Sequence, residues 1–100
     1  MKQHQYHVTV QHLKDNKGQA STYTERLEFY TGNHDDIFEI VERLKKAEFF
    51  DDQITKSFAV GLKLFSEVML EHREHPLFED FWPHFGQFMK NLKQQVKNSA

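Results

Sequence analysis

Residues 23–44 read YTERLEFYTGNHDDIFEIVERL, and the hydrophobic rhythm changes within them. From Tyr23 to Tyr30 the chain alternates, with Tyr23, Leu27 and Phe29 on one side and Thr24, Arg26 and Glu28 on the other. That period of two is the pattern of a strand burying one face. Gly32 and Asn33 are expected to end the strand, and beyond them Ile37, Ile40, Val41 and Leu44 fall on one helical face. Asn33 reads as the N-cap, accepting a bond from the amide of Asp36, while Asp35 and Asp36 complement the positive helix end. Glu39 with Arg43 and Glu42 with Lys46 are the expected i,i+4 ion pairs on the outer face. A strand that gives way to an amphipathic helix across one short turn points to an α+β fold.

Upstream, Tyr6, Val8 and Val10 alternate with His7, Thr9 and Gln11, so a first strand is expected from about His4 to Leu13. The polar stretch Lys14 to Thr22 reads as a loose hairpin loop. Downstream, Asp51 and Asp52 signal a second helix to about His72, with Ile54, Phe58, Gly61, Leu62, Phe65, Val68 and Met69 as its buried stripe. Ala59, Val60, Leu64 and Leu70 lie off that stripe, so this helix is central or meets a second partner surface. Gly61 within the stripe predicts close approach of another backbone. Pro76 breaks the helix, and Phe78, Phe81, Trp82, Phe85, Met89, Leu92 and Val96 then keep one phase. A short turn followed by a third helix to about Lys97 accounts for them, with Pro83 in the first helical turn. The expected order is β-β-α-α-α: one domain over residues 1–100, with a hairpin at 4–30 and a helical part at 33–97.

The chain has 100 residues and 12.0 kDa, of which 38% are hydrophobic and 28% charged, which fits one globular domain. Its ten Phe are expected to form an aromatic interior. Thirteen Lys plus Arg against 15 Asp plus Glu give a net charge of −2, so no nucleic-acid partner is expected. Without cysteine there is no disulfide, thiolate metal site or cysteine nucleophile. Met1 to Val10 has no apolar leader core, and Phe58 to Leu70 is interrupted by Lys63, Ser66 and Glu67 and too short to span a bilayer. The expected location is the cytoplasm, with no membrane partner. Ser21, Ser57, Ser66 and Ser99 stand in no activating motif, and the four glycines form no phosphate cradle, so no catalytic residue and no cofactor are assigned.

The densest titratable cluster is Glu67, Glu71, His72 and His75, with Arg73 and Glu74 among them. His72 and His75 are three apart and Glu71 and His75 four apart, neighbouring helix positions that could share a ligand. The order His72-Arg73-Glu74-His75 is one residue short of the zinc-protease patterns, and no metal is assigned. In the structural reading His72 is half-buried and bonds the last helix carbonyls, while the proline turn holds His75. As a site, Glu67, Glu71 and His75 would line one side of a cleft that the His34-Asp35 turn must complete. His4, His7 and His12 on one strand cannot converge on a metal. Lys90, Lys93 and Lys97 read as a small basic strip at the end of the third helix.

Lys2, His4 and Tyr6, Asn33-His34-Asp35-Asp36, Ala59-Val60-Gly61-Leu62-Lys63-Leu64-Phe65, Glu67-Val68-Met69-Leu70-Glu71, His75-Pro76-Leu77-Phe78 and Phe88-Met89-Lys90 together resemble a family of short bacterial proteins classed as a domain of unknown function. The resemblance spans Lys2 to Lys93. It implies a bacterial cytoplasmic protein and carries no activity, substrate or catalytic residue onto these positions. The expected function is a non-enzymatic small binding or protein-interaction domain, self-associated as a homodimer. Its rival is a small metal-binding protein or enzyme using Glu67, Glu71, His72 and His75.

Overall fold

Two strands, β1 (His4–Val10) and β2 (Leu27–Asn33), precede three helices, α1 (Ile37–Ala47), α2 (Asp52–Glu71) and α3 (Trp82–Ser99), in a computed structural model that describes residues 2–99. A single 3-10 turn, Pro76–Phe78, separates α2 from α3. The order is the expected β-β-α-α-α, and the fold is α+β. Residues 1 and 100, the ends of the expected domain, lie outside the described residues.

The strands pair antiparallel from His4 opposite Asn33 to Val10 opposite Leu27. This register stacks Tyr6, Val8 and Val10 beside Thr31, Phe29 and Leu27 on one face. The expected phase is correct, but the ladder is displaced along the chain. Both strands were expected to extend further into the loop: β1 ends at Val10 rather than Leu13, and Tyr23 to Arg26 lie outside β2. Gly32 and Asn33 continue β2 instead of stopping it. At Gly32 the missing side chain leaves room for Gln3, whose carboxamide an added Cβ would strike. The loop tip is also tighter than expected. The Asp15 carboxylate accepts from the amides of Lys17 and Gln19, both at 2.9 Å, and Gly18 takes the left-handed conformation at φ 84° that closes the turn.

Asp36, not Asn33, caps α1, its side chain accepting from the amide of Phe38 at 3.0 Å. Asp51 caps α2 through the amide of Ile54 at 2.9 Å. The expected Glu39–Arg43 and Glu42–Lys46 pairs give way to Lys45, which reaches Glu42 at 3.5 Å and Asp52 at 3.1 Å and so ties the end of α1 to the start of α2. Pro83 sits in the first turn of α3, where its missing amide costs no helical bond.

Packing departs most from expectation on α2. Its buried line is Thr55, Ala59, Lys63, Ser66, Glu67 and Met69. Ile54, Phe65 and Val68, expected inside, are 51%, 46% and 49% exposed. Gly61 is exposed with no heavy atom near enough to meet an added Cβ, so the expected close backbone approach is absent. The aromatic residues do not form the interior either. Of the ten Phe only Phe78 is buried, beside Ile37, Leu44, Ala59 and Met69. Beside α2, Phe58 meets Phe88 edge-on and Phe65 meets Phe81 at a tilt, at centroid distances of 6.4 and 6.0 Å, whereas Phe38 on α1 is 74% exposed.

Candidate functional site

The turn between β2 and α1 is built by side chains rather than by its own backbone. Asn33 is fully buried; its Oδ1 accepts from the amide of Asp35 at 3.0 Å, and its Nδ2 donates to the carbonyl of Lys63 on α2 at 2.9 Å. The Tyr6 hydroxyl donates to the carbonyl of Asp35 at 3.1 Å and accepts from the amide of Ile37 at 2.9 Å. The turn is thereby fastened to β1 and α2 at once.

Two ion-bearing contacts complete the junction. Lys63 Nζ lies 2.6 Å from Asp35 Oδ2, with the lysine side chain only 11% exposed. Glu67 accepts three bonds: from Gln3 Nε2 at 2.6 Å, from the amide of His34 at 3.2 Å and from His34 Nδ1 at 2.6 Å. Because a carboxylate only accepts, Nδ1 of His34 carries the hydrogen. Its Nε2 is 3.5 Å from Asp35 Oδ2. The hydrogen bond from the Lys63 ammonium holds the Asp35 carboxyl below its ordinary range; burial opposes this, and the Lys63, His34 and Arg43 charges reinforce it. Carboxylates therefore flank both nitrogens of the one imidazole in the network, Glu67 at Nδ1 and Asp35 at Nε2. The chemistry is that of a clamp joining hairpin to helix.

The structure divides the four residues singled out from the sequence. Glu67 points into the clamp and meets the His34-Asp35 turn, the element a site there would have required. Glu71 and His72 are exposed at the end of α2. The main-chain amide of His72, not its ring, bonds the carbonyl of Val68, so the expected half-buried histidine is an exposed one. His75 caps the 3-10 turn, with Nδ1 accepting from the amide of Leu77 at 3.1 Å. Among the described residues no three His, Asp or Glu side chains are arranged to hold a metal ion. Sequence reading missed Gln3, Asn33 and Lys63 as members of the junction. Lys63 interrupting an apolar run was the available signal.

Two further surfaces flank the clamp. A groove of about 640 Å³ runs between α1, α2 and α3, floored by side chains such as Leu44, Leu62, Met89 and Leu92 and bordered by Asp35, Lys63, Arg43, Lys93 and Lys97. On the other side, the apolar face of the hairpin extends past the helices. Val8 is half-buried, but Val10 and Leu27 are 52% and 65% exposed.

A two-stranded hairpin clamped by buried charged side chains to the middle one of three helices defines a small α+β domain class. The chain belongs to the family described as a domain of unknown function with a solved structure, DUF3861, whose profile matches residues 4–94. It is similar to the crystal structure, at 2.20 Å resolution, of a protein of unknown function from Pectobacterium atrosepticum SCRI1043. The two share 35% identity and superpose with a TM-score of 0.78, over 93% of this chain and 99% of that one. No curated protein matches the chain. Among the described residues no helix is long and apolar enough to cross a membrane.

Proposed function

We propose that this domain is a non-catalytic interaction module that works as a homodimer, with the overhanging apolar face of the hairpin as the interface. The observation that carries this reading is surface that one copy leaves bare. The protomer exposes 8267 Å², whereas a monomer of 12.0 kDa typically exposes about 6,000 Å². Its radius of gyration of 16.0 Å likewise exceeds the roughly 13 Å of a compact 100-residue domain. The excess is more than twice the roughly 800 Å² per partner of a stable interface. Part of it is the apolar patch Val10, Leu27 and Phe29 on one face of a hairpin with two unpaired edges. A second copy is the partner that supplies a matching apolar face by symmetry.

The same reading takes the protein as cytoplasmic, in keeping with its cysteine-free composition. Light scattering on the eluting peak of a size-exclusion column tests it. A mass of twice 12.0 kDa at micromolar concentration is expected for the native chain. Leu27→Glu, on an exposed position, should yield a folded monomer with the same far-ultraviolet dichroism. A native chain that stays at 12.0 kDa up to submillimolar concentration overturns the dimer.

A further inference from the structure

The groove between the three helices has an apolar floor and a cationic border. Leu62 from α2 and Met89, Leu92 and Val96 from α3 supply the floor. Among the described residues Lys63 is matched by Asp35, while Arg43, Lys93 and Lys97 form no salt bridge. Three positive charges outside any salt bridge thus border one groove in a chain whose net charge is −2; Arg43 lies near enough to Asp35 to lower its carboxyl, whereas Lys93 and Lys97 face the groove from α3. The helix dipole does not account for all of them. Its field is confined to the last turn, which contains Lys97, and Lys93 lies a full turn earlier on the same wall.

We propose that this groove binds a free long-chain alkyl carboxylate, its chain on the Leu62–Met89–Leu92 floor and its carboxylate among Arg43, Lys93 and Lys97. The volume of about 640 Å³ lies within the range of roughly 300–1,000 Å³ that small-molecule sites occupy. The long methylene stems of the two lysines extend the apolar wall while their ammonium groups stay at the solvent edge, the arrangement that suits an amphipathic anion. The groove lies on the helices and the hairpin face is not part of it, so the two assignments can fail separately.

The test titrates the full-length protein with dodecanoate below its micellar concentration, following amide chemical shifts and heat. Saturable binding near one molecule per chain is expected, with shifts centred on Leu62, Met89 and Leu92. Dodecan-1-ol and the Lys93→Glu/Lys97→Glu double variant should each bind about tenfold more weakly, as expected when solvent-facing ion pairs are lost or reversed. Both lysines are exposed, so the variant should keep the native dichroism. The Leu27→Glu variant should bind as the native chain does, which separates this site from the dimer face. Equal binding of alcohol and carboxylate, unchanged binding by the double variant, or shifts confined to Val10 and Leu27 would each overturn the assignment. So would loss of the dimer in the double variant, which would make the groove an interface between copies.

Discussion

Replacing Glu67 by alanine removes the acceptor on which β1, the β2–α1 turn and α2 converge. Its carboxylate is 7% exposed and accepts from Gln3, from the His34 amide and from the His34 ring. Hydrogen bonds to a charged group are worth about 1.5–3 kcal/mol each, but these three do not add. The His34 ring is 33% exposed and can turn to water, as can the Gln3 carboxamide, whereas the His34 amide is less free to do so. The expected loss for Glu67→Ala is therefore about 3 kcal/mol, near that of one broken buried pair. Glu67→Gln tests the same argument more finely. Its oxygen can keep the two bonds now made by Oε2, and its amide can donate to Nδ1 once the ring hydrogen moves to Nε2, facing Asp35. That exchange costs about 1 kcal/mol. Urea unfolding followed by circular dichroism at one fixed protein concentration reads both. At a slope of about 1–3 kcal/mol/M the alanine midpoint should fall by roughly 1–3 M and the glutamine midpoint by less than half of that. An alanine variant within 0.5 kcal/mol of native, or a glutamine variant as unstable as alanine, would refute the clamp.

Gly61→Ala should raise stability by about 0.5–1 kcal/mol, since the position is helical, exposed and free of neighbouring atoms; a lower urea midpoint would reveal a packed neighbour. Glu48→Gly should stabilise by up to about 1 kcal/mol, because Glu48 ends α1 at φ 56°, where a side chain is strained and glycine is not; calorimetry showing a lower melting temperature would contradict this. The Lys63 bond depresses the Asp35 carboxyl below 3.8, so its contribution is complete above that pH and is lost as pH falls through the lower folded value. Lys63→Met should accordingly flatten the acid limb of stability below about pH 4, as read from urea midpoints; an unchanged limb would count against the pair.

Element order was legible because period-two and helical patterns are written in side-chain spacing, and each element here carries one. Strand ends were less legible. Tyr23 to Arg26 alternate like a strand, but β1 offers them no partner past Val10. Asn33 shows the complementary difficulty. A polar residue after glycine looks like a cap, yet here it is the most deeply buried polar side chain, because its Nδ2 finds an acceptor in the carbonyl of Lys63, 30 positions away. No local window contains that carbonyl. The candidate cluster was legible only at Glu67, where the helix meets the hairpin, and the remaining members follow from chain proximity at an exposed helix end.

The inversion of α2 links the clamp to the bare surface. A helix can direct only one line of side chains at a given neighbour, and the charged contacts to His34 and Asp35 claim the line of Lys63 and Glu67. Ile54, Phe65 and Val68, which hydrophobicity alone would bury, are left half outside. A buried ion-bearing junction contributes less than the same volume of well-packed apolar side chains. The chain thus fixes the angle of its hairpin at the expense of its core, and a second copy that covers the hairpin's apolar face would add burial that the core lacks. Stability gained in that way depends on protein concentration, so the melting temperature should rise with concentration for the native chain and stay constant for Leu27→Glu.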